Sequence, residues 1–255
     1  MFDTLSVEIE GAIGRIQLNQ PEKLNPLSPK ALSELAEAAR WFDAKGDAKV
    51  VVVSGAGRAF SAGADLSTFQ GQPEGDLRAA ADQGRLMAEA LESMRAVSIA
   101  AIQGWCVGGG LVLAAACDLR VATESAQFSI PEVDLGIPLA WGGIPRLVRE
   151  LGPARTKELV MTCRPFDASE ALAAGFLNRV VAEQELEASV DELARQLADK
   201  ASHALLATKR HVNAVTEQMV GTMRSWSDAD GLLVALTDDE CTEARERYLE
   251  HKGAR

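Results

Sequence analysis

The stretch WCVGGGLVLAAACD (residues 105–118) decides how the chain is read: three consecutive glycines, an apolar run, then a carboxylate. Apart from two cysteines it carries no reactive side chain before Asp118. Ser98, Gln103, Gly104 and the three glycines interrupt the apolar segment Val97 to Cys117. That segment therefore suits a buried strand, a turn and a helix better than a membrane span. Bare backbone at a helix start has a physical use. The first N–H groups of a helix are unpaired and lie at the positive end of its dipole. With no Cβ in the way, a ligand oxygen can approach them closely. The same glycines also permit tight strand–helix packing, and the residues alone leave both readings open.

Working outward, LSVEIEGAIGRIQLN (5–19) alternates apolar and polar residues around Gly11 and predicts two strands. Ser28 followed by Pro29 signals a cap and first helical turn, after which Leu32, Leu35, Ala36, Ala39 and Phe42 share one face. VVVVSG (50–55) predicts a strand buried on both sides, and a helix pattern covers about 77–95. SIAAIQG (98–104), LRVAT (119–123), QFSI (127–130) and NRVV (178–181) predict further strands. From about 184 the chain is helical and highly charged. The order is α/β followed by an all-α tail, which we divide as a core over 1–195 and a helical region over 196–255. Such a tail serves either as an interface or as a surface cap.

The bulk composition narrows the function. The chain has 255 residues and a net charge of -11, with no basic stripe to offset it, which argues against a nucleic-acid partner. A phosphate-bearing small molecule remains compatible, because local lysines and backbone amides suffice to hold one. Cys106, Cys117, Cys163 and Cys241 lack metal or redox spacing, so they read as reduced thiols of a cytoplasmic protein. The acidic N-terminus has no basic region of the signal-peptide kind.

GAGRAFSAGADL (55–66) approaches several known loops and matches none. A dinucleotide loop needs glycine where Phe60 stands, and no Gly-Lys-Ser/Thr of a phosphate loop follows. Ser61 lies in a near-elbow whose first glycine is replaced by Ala59, while His203, His211 and His251 all lie in the tail. Ser61 therefore reads as a turn residue. In QFSIPEVDLGIPLAWGG (127–143), Glu132 stands among Ile130, Pro131 and Val133, with Ile137 and Trp141 nearby. A carboxyl buried in such company rises in pKa toward the range that acid–base catalysis needs. Asp134 and Gly136 allow a loop placement as well.

Together the three stretches, in this order and spacing, resemble the crotonase superfamily, the enoyl-CoA hydratase and isomerase family. The likeness spans about residues 5–190, with echoes such as ALLATKRHVN (204–213) in the tail. It implies a spiral of ββα turns with a helical C-terminal region that builds homotrimers or hexamers. It also implies an acyl-CoA thioester substrate and no metal or redox cofactor, coenzyme A being part of the substrate. Carried over by position, the backbone N–H groups of Ala64 and Gly109 would form an oxyanion hole and Glu132 would be the catalytic acid–base. Phe60, Ala62, Asp65 and Leu66 would face the coenzyme. Lys23, in PEKLN, would either meet its phosphates or be a solvated lysine. Val112, Ala140 and Trp141 would line the acyl side, within walls drawn from about 66–95 and 135–145. The acidic stretch 71–84 reads as a mobile flank or a helix start.

The departures from the family pattern decide the expected chemistry. Family hydratases carry a second glutamate three residues after the central glycine of the triplet, where this chain has Val112. Isomerase branches place a carboxylate eight residues beyond the PE pair, where it has Ala140. A lone Glu132 resembles the remaining single-acid isomerases, which take a proton from C2 of a 3-enoyl-CoA and return it at C4. An apolar Val112 would help exclude water. The expectation is therefore a double-bond shift. The alternatives are hydration by a single glutamate, with Asp134 or Asp118 assisting, and an acyl-CoA-binding module without turnover. Thioester hydrolysis, decarboxylation and a purely structural subunit also stay open.

Overall fold

The computed structural model describes residues 2–66 and 77–253, without the side chains of Arg224, Trp226, Lys252 and Gly253. β1 (Leu5–Glu10) and β2 (Ile13–Leu18) pair antiparallel, Leu5 opposite Leu18 and Glu10 opposite Ile13. The Ser28 side chain accepts the Ala31 N–H and starts α1 (Pro29–Lys45), whose predicted apolar face is buried. β3 (Val50–Gly55) buries Val50 to Val53, as an unbroken β-branched run requires in a parallel strand covered on both faces. α2 (Leu77–Ser93) follows; of the acidic stretch 71–84, residues 71–76 lie outside the described residues.

The run that could mimic a membrane span folds as β4 (Val97–Ile102), β5 (Trp105–Val107) and α3 (Gly109–Ala115). Among the described residues no helix is long and apolar enough to cross a membrane. β6 (Leu119–Thr123), β7 (Gln127–Ser129), α4 (Gly143–Leu151), α5 (Pro153–Thr162), β8 (Phe166–Asp167), α6 (Ala168–Ala173) and β9 (Arg179–Val181) come next. The first sheet runs β1-β2-β3-β4-β6-β9, parallel from β2 onward, and the second runs β5-β7-β8. The two-residue β8 and the three-residue β5 were not predicted. They are too short to show a period of their own.

The tail consists of α7 (Leu186–Ala198), α8 (Ser202–Met219), α9 (Asp228–Thr237) and α10 (Asp239–Gly253). Val190, Leu193 and Ala194 of α7 pack on Val50, Val52, Ile99 and Val121, so α7 closes the face of the large sheet opposite the main core. The division expected after residue 195 thus falls inside α7. α8 buries Lys209 alone. Its ammonium donates to the Ala96 carbonyl (2.8 Å) and to Asp118 (2.7 Å), and Asp118 also accepts the Ser98 N–H and hydroxyl.

Candidate active site

Three segments meet at the start of α3. Ser61 bridges Cys106 in parallel fashion: the Ser61 N–H donates to the Trp105 carbonyl (3.1 Å) and the Val107 N–H to the Ser61 carbonyl (3.0 Å). The Ser61 hydroxyl donates to the Asn25 carbonyl and accepts the Gly63 N–H. Ser61 is fully buried, and the three histidines are all exposed on the tail, so the turn reading of this serine stands and a hydrolase triad does not.

Ala64 bridges Leu27. In that register Leu27 donates to the Gly63 carbonyl and accepts from Asp65, so the Ala64 N–H points away from the bridge and has no backbone acceptor among the described residues. Gly109, the first residue of α3, is in the same situation for a different reason, since its N–H belongs to the unpaired first turn. Gly63, the residue before Ala64, lies close to Gly109: a Cβ placed on it would stand 3.4 Å from the Gly109 nitrogen.

Gly108 holds the site open. Its φ of 50° and ψ of -115° belong to a region that L side chains avoid, and a Cβ there would fall on Oε1 of Glu132. Glu132 follows β7 and is 8 % exposed. Its Oε2 has no hydrogen-bond partner among the described residues. Burial pushes its carboxyl up to about 7, against a small opposing pull from its own backbone N–H. An uncompensated carboxyl in an apolar seat holds its proton at neutral pH about as often as not.

The remaining candidates divide. Val112 is fully buried and faces Gly143, where a Cβ would lie 2.9 Å from its methyl group; Ala140, whose carbonyl accepts the Gly143 N–H (3.0 Å), is buried in the turn before α4. Trp141 lies against Gly109 and is described further below. Ala62, Asp65 and Leu66 are partly exposed, Leu66 packing toward Leu135, Ile137 and Leu232. Lys23 is exposed on a short 3-10 turn next to Leu24, whose carbonyl accepts the Ala62 N–H (2.8 Å). Phe60 differs from its neighbours in the stretch expected at the coenzyme: its side chain is 0 % exposed inside the main core, where a large aromatic gains most by burial. Asp134 is exposed, and Asp118 is tied to Ser98 and Lys209. Among the described residues no group of three or more His, Cys, Asp or Glu could hold a metal.

Asn25 was not anticipated. Its side-chain amide donates to the carbonyls of Ala56 (2.8 Å) and Ala59 (2.9 Å), and its Oδ1 accepts the Gln20 N–H. It fastens the 20–27 loop to the segment that carries Ala64. The Asn-Pro pair at 25–26 marks a turn and was the available signal.

The sequence model described as enoyl-CoA hydratase/isomerase matches residues 8–255. The chain belongs to that family. A relative named probable enoyl-CoA hydratase from Rhizobium meliloti (strain 1021) is 37% identical over 216 residues, 85% of this chain and 83% of the relative. A crotonyl-CoA hydratase from Syntrophomonas wolfei is 31% identical over 255 residues, covering 99% and 97%. The crystal structure of an enoyl-CoA hydratase from Mycobacterium avium subsp. paratuberculosis superposes with a TM-score of 0.86 at 26% identity, covering 95% of this chain and 98% of that one. The protein is thus an enzyme of the enoyl-CoA hydratase/isomerase family with the crotonase fold. These relatives' names speak of hydration, and none of them supports the double-bond shift expected from the lone glutamate.

Proposed function

We propose that the enzyme adds water reversibly to a 2-enoyl-CoA thioester, with Glu132 as its single acid–base. The observation that carries this reading is the buried Glu132 carboxyl packed on Gly108, whose Oε2 has no hydrogen-bond partner among the described residues, next to the Gly109 N–H, which has no backbone acceptor among them. The Ala64 and Gly109 amides would hold the thioester oxygen. Glu132 as carboxylate takes a proton from water while the water oxygen bonds to the β-carbon. The double-bond electrons move through the α-carbon onto the thioester oxygen, and the two amides stabilise that enolate. The enolate then collapses, taking the proton from Glu132 at the α-carbon. One proton enters and one leaves, so one carboxyl suffices if its pKa lies near the working pH, which the burial of Glu132 supports. Losing one oxyanion-hole donor, there a side-chain amide, costs about 3–4 kcal/mol of barrier in a serine protease.

Val112 favours a second reading. With a buried valine where a water-holding carboxylate would stand, Glu132 could instead move a proton from C2 to C4 of a 3-enoyl-CoA. Ultraviolet absorbance separates the two. Loss of the conjugated enoyl-thioester band from crotonyl-CoA supports hydration; its growth from a 3-enoyl-CoA, with crotonyl-CoA unchanged, supports the isomerase. No change with either substrate overturns both.

Coenzyme A belongs to the substrate in this scheme and no further cofactor enters it; Lys23, at the rim beside Ala62, would meet the coenzyme's phosphates. The free, buried Cys106, Cys117 and Cys163 suit a reducing compartment such as the cytoplasm. Exposed Val212, Val215 and Met219 on α8, with Met223 after it, support a homotrimer or hexamer, which sedimentation equilibrium would test.

A further inference from the structure

Trp141 sits in an unusual setting. Its backbone is left-handed, with φ of 62°, a conformation that a bulky residue adopts only when its surroundings hold it there. The turn is held there from two sides. Nη1 of Arg146, a side chain 1 % exposed, donates to the carbonyls of Trp141 (3.3 Å) and Gly142 (3.1 Å), while Nη2 donates to Glu92 (2.5 Å). From the other side the Gly142 N–H donates to Asp228 (2.8 Å).

The indole this turn aims inward is seated between two glycines of different helices. A Cβ on Gly84, in the middle of α2, would overlap ring atoms Cγ, Cδ2 and Cε2, so Gly84 lies under the face of the indole. A Cβ on Gly109 would meet the far edge, overlapping Cζ3 and standing 2.8 Å from Cη2 and 3.0 Å from Cε3. Glycine inside a helix is about 0.5–1 kcal/mol worse than alanine. At Gly84 that cost has a structural return, because only glycine leaves room for the ring.

We propose that Trp141 is the specificity-determining residue of the acyl site. Its indole closes the space beyond the substrate's α-carbon, so the site takes CoA thioesters of short acyl chains. This rests on the acyl-CoA reading above. With the thioester oxygen on the Gly109 amide and the α-carbon facing Glu132, the next carbons of the chain run into the benzo edge of Trp141 and the Val112 wall behind it. The strained turn, the buried Arg146 and Asp228 keep the ring from swinging aside.

Saturated thioesters test this without any turnover. Calorimetric titration of the full-length protein with butyryl-CoA and decanoyl-CoA, repeated with Trp141→Ala and Trp141→Leu, reads the acyl wall directly. An open apolar channel would favour the decanoyl ester steeply, since each buried methylene tightens binding roughly fourfold. The closed wall predicts the reverse: the wild type binds butyryl-CoA at least about tenfold tighter. Trp141→Ala then shifts the ratio of decanoyl-CoA to butyryl-CoA affinity toward the longer ester by at least about tenfold, with Trp141→Leu shifting it the same way by less. Wild-type protein that binds the decanoyl ester as well as the butyryl ester overturns the proposal and leaves the acyl-CoA reading intact, as do variants that weaken both alike. Failure of the wild type to bind either thioester overturns the acyl-CoA reading and this inference with it.

Discussion

Replacing Glu132 by glutamine should make the protein more stable in alkali than its parent, by an amount the burial of that one carboxyl sets. The folded-state pKa of about 7 stands well above the 4.5 of an ordinary glutamate. Between those values the folded protein binds more protons at this site than the unfolded chain does. Stability therefore falls as pH rises through that window, and the loss is complete above about pH 8. At about 1.4 kcal/mol per unit the shift amounts to roughly 3 kcal/mol. A glutamine carries no charge to desolvate, so the loss is absent from Glu132→Gln. The readout is the difference in Tm between variant and parent, recorded by calorimetry at equal protein concentration from pH 5 to pH 9. Any fixed effect of packing the amide appears as a constant offset, and the other carboxylates cancel because both proteins carry them. The difference should rise with pH by about 6–12 °C, with its midpoint between 5 and 8. Parallel curves would refute the argument, for they would mean that Glu132 is solvated and titrates in its ordinary range.

The same carboxyl predicts that kcat/KM rises with pH through an inflection near 7, since the reaction begins with Glu132 ionised; an inflection near 4.5 in a steady-state pH profile would contradict the burial. Gly84→Ala drives a methyl into the indole of Trp141 and should destabilise the protein by about 1–3 kcal/mol in urea unfolding, whereas Ala80→Gly in the exposed first turns of α2 should cost no more than about 1 kcal/mol. Asp118→Asn leaves the buried ammonium of Lys209 without its counter-charge and should cost about 2–4 kcal/mol while leaving the pH profile of turnover unchanged. A shifted profile would return Asp118 to the site. Val112→Glu should speed hydration of crotonyl-CoA by at least about tenfold at some loss of Tm, because it supplies a second group to hold water beside Glu132.

Much of this architecture was legible before any coordinates. Alternation around Gly11, the Ser28–Pro29 cap and the valine run at 50–53 each announce one element through a local rule, and each element forms there. Glu132 was legible as a carboxyl in apolar company because its neighbours in sequence are also its neighbours in space. What escaped has the opposite character. The Arg146 and Arg149 pairs with Glu92 join helices more than fifty residues apart, and no period or motif connects them. The seat of Trp141 on Gly84 is a contact between a loop and a distant helix, and a lone helical glycine gives no hint of its partner. Phe60 was placed at the ligand by analogy of position, yet the large sheet and α1 supply enough apolar surface to take it in completely.

The two unpaired amides are supplied by Ala64 and Gly109, one freed by the register of a parallel bridge and the other by the start of a helix. Neither depends on the identity of a side chain, and their spacing is set by the same backbone bonds that join Ser61 to Cys106. On the proposed reading, the part of the pocket that would face the thioester oxygen is thus inherited with the chain path itself, while Val112, Ala140 and Trp141 can be exchanged one at a time around it. A lineage built this way is free to change what becomes of an activated thioester without rebuilding the means of activating it. A library confined to those three positions would sample new outcomes on a scaffold whose two backbone amides keep their places.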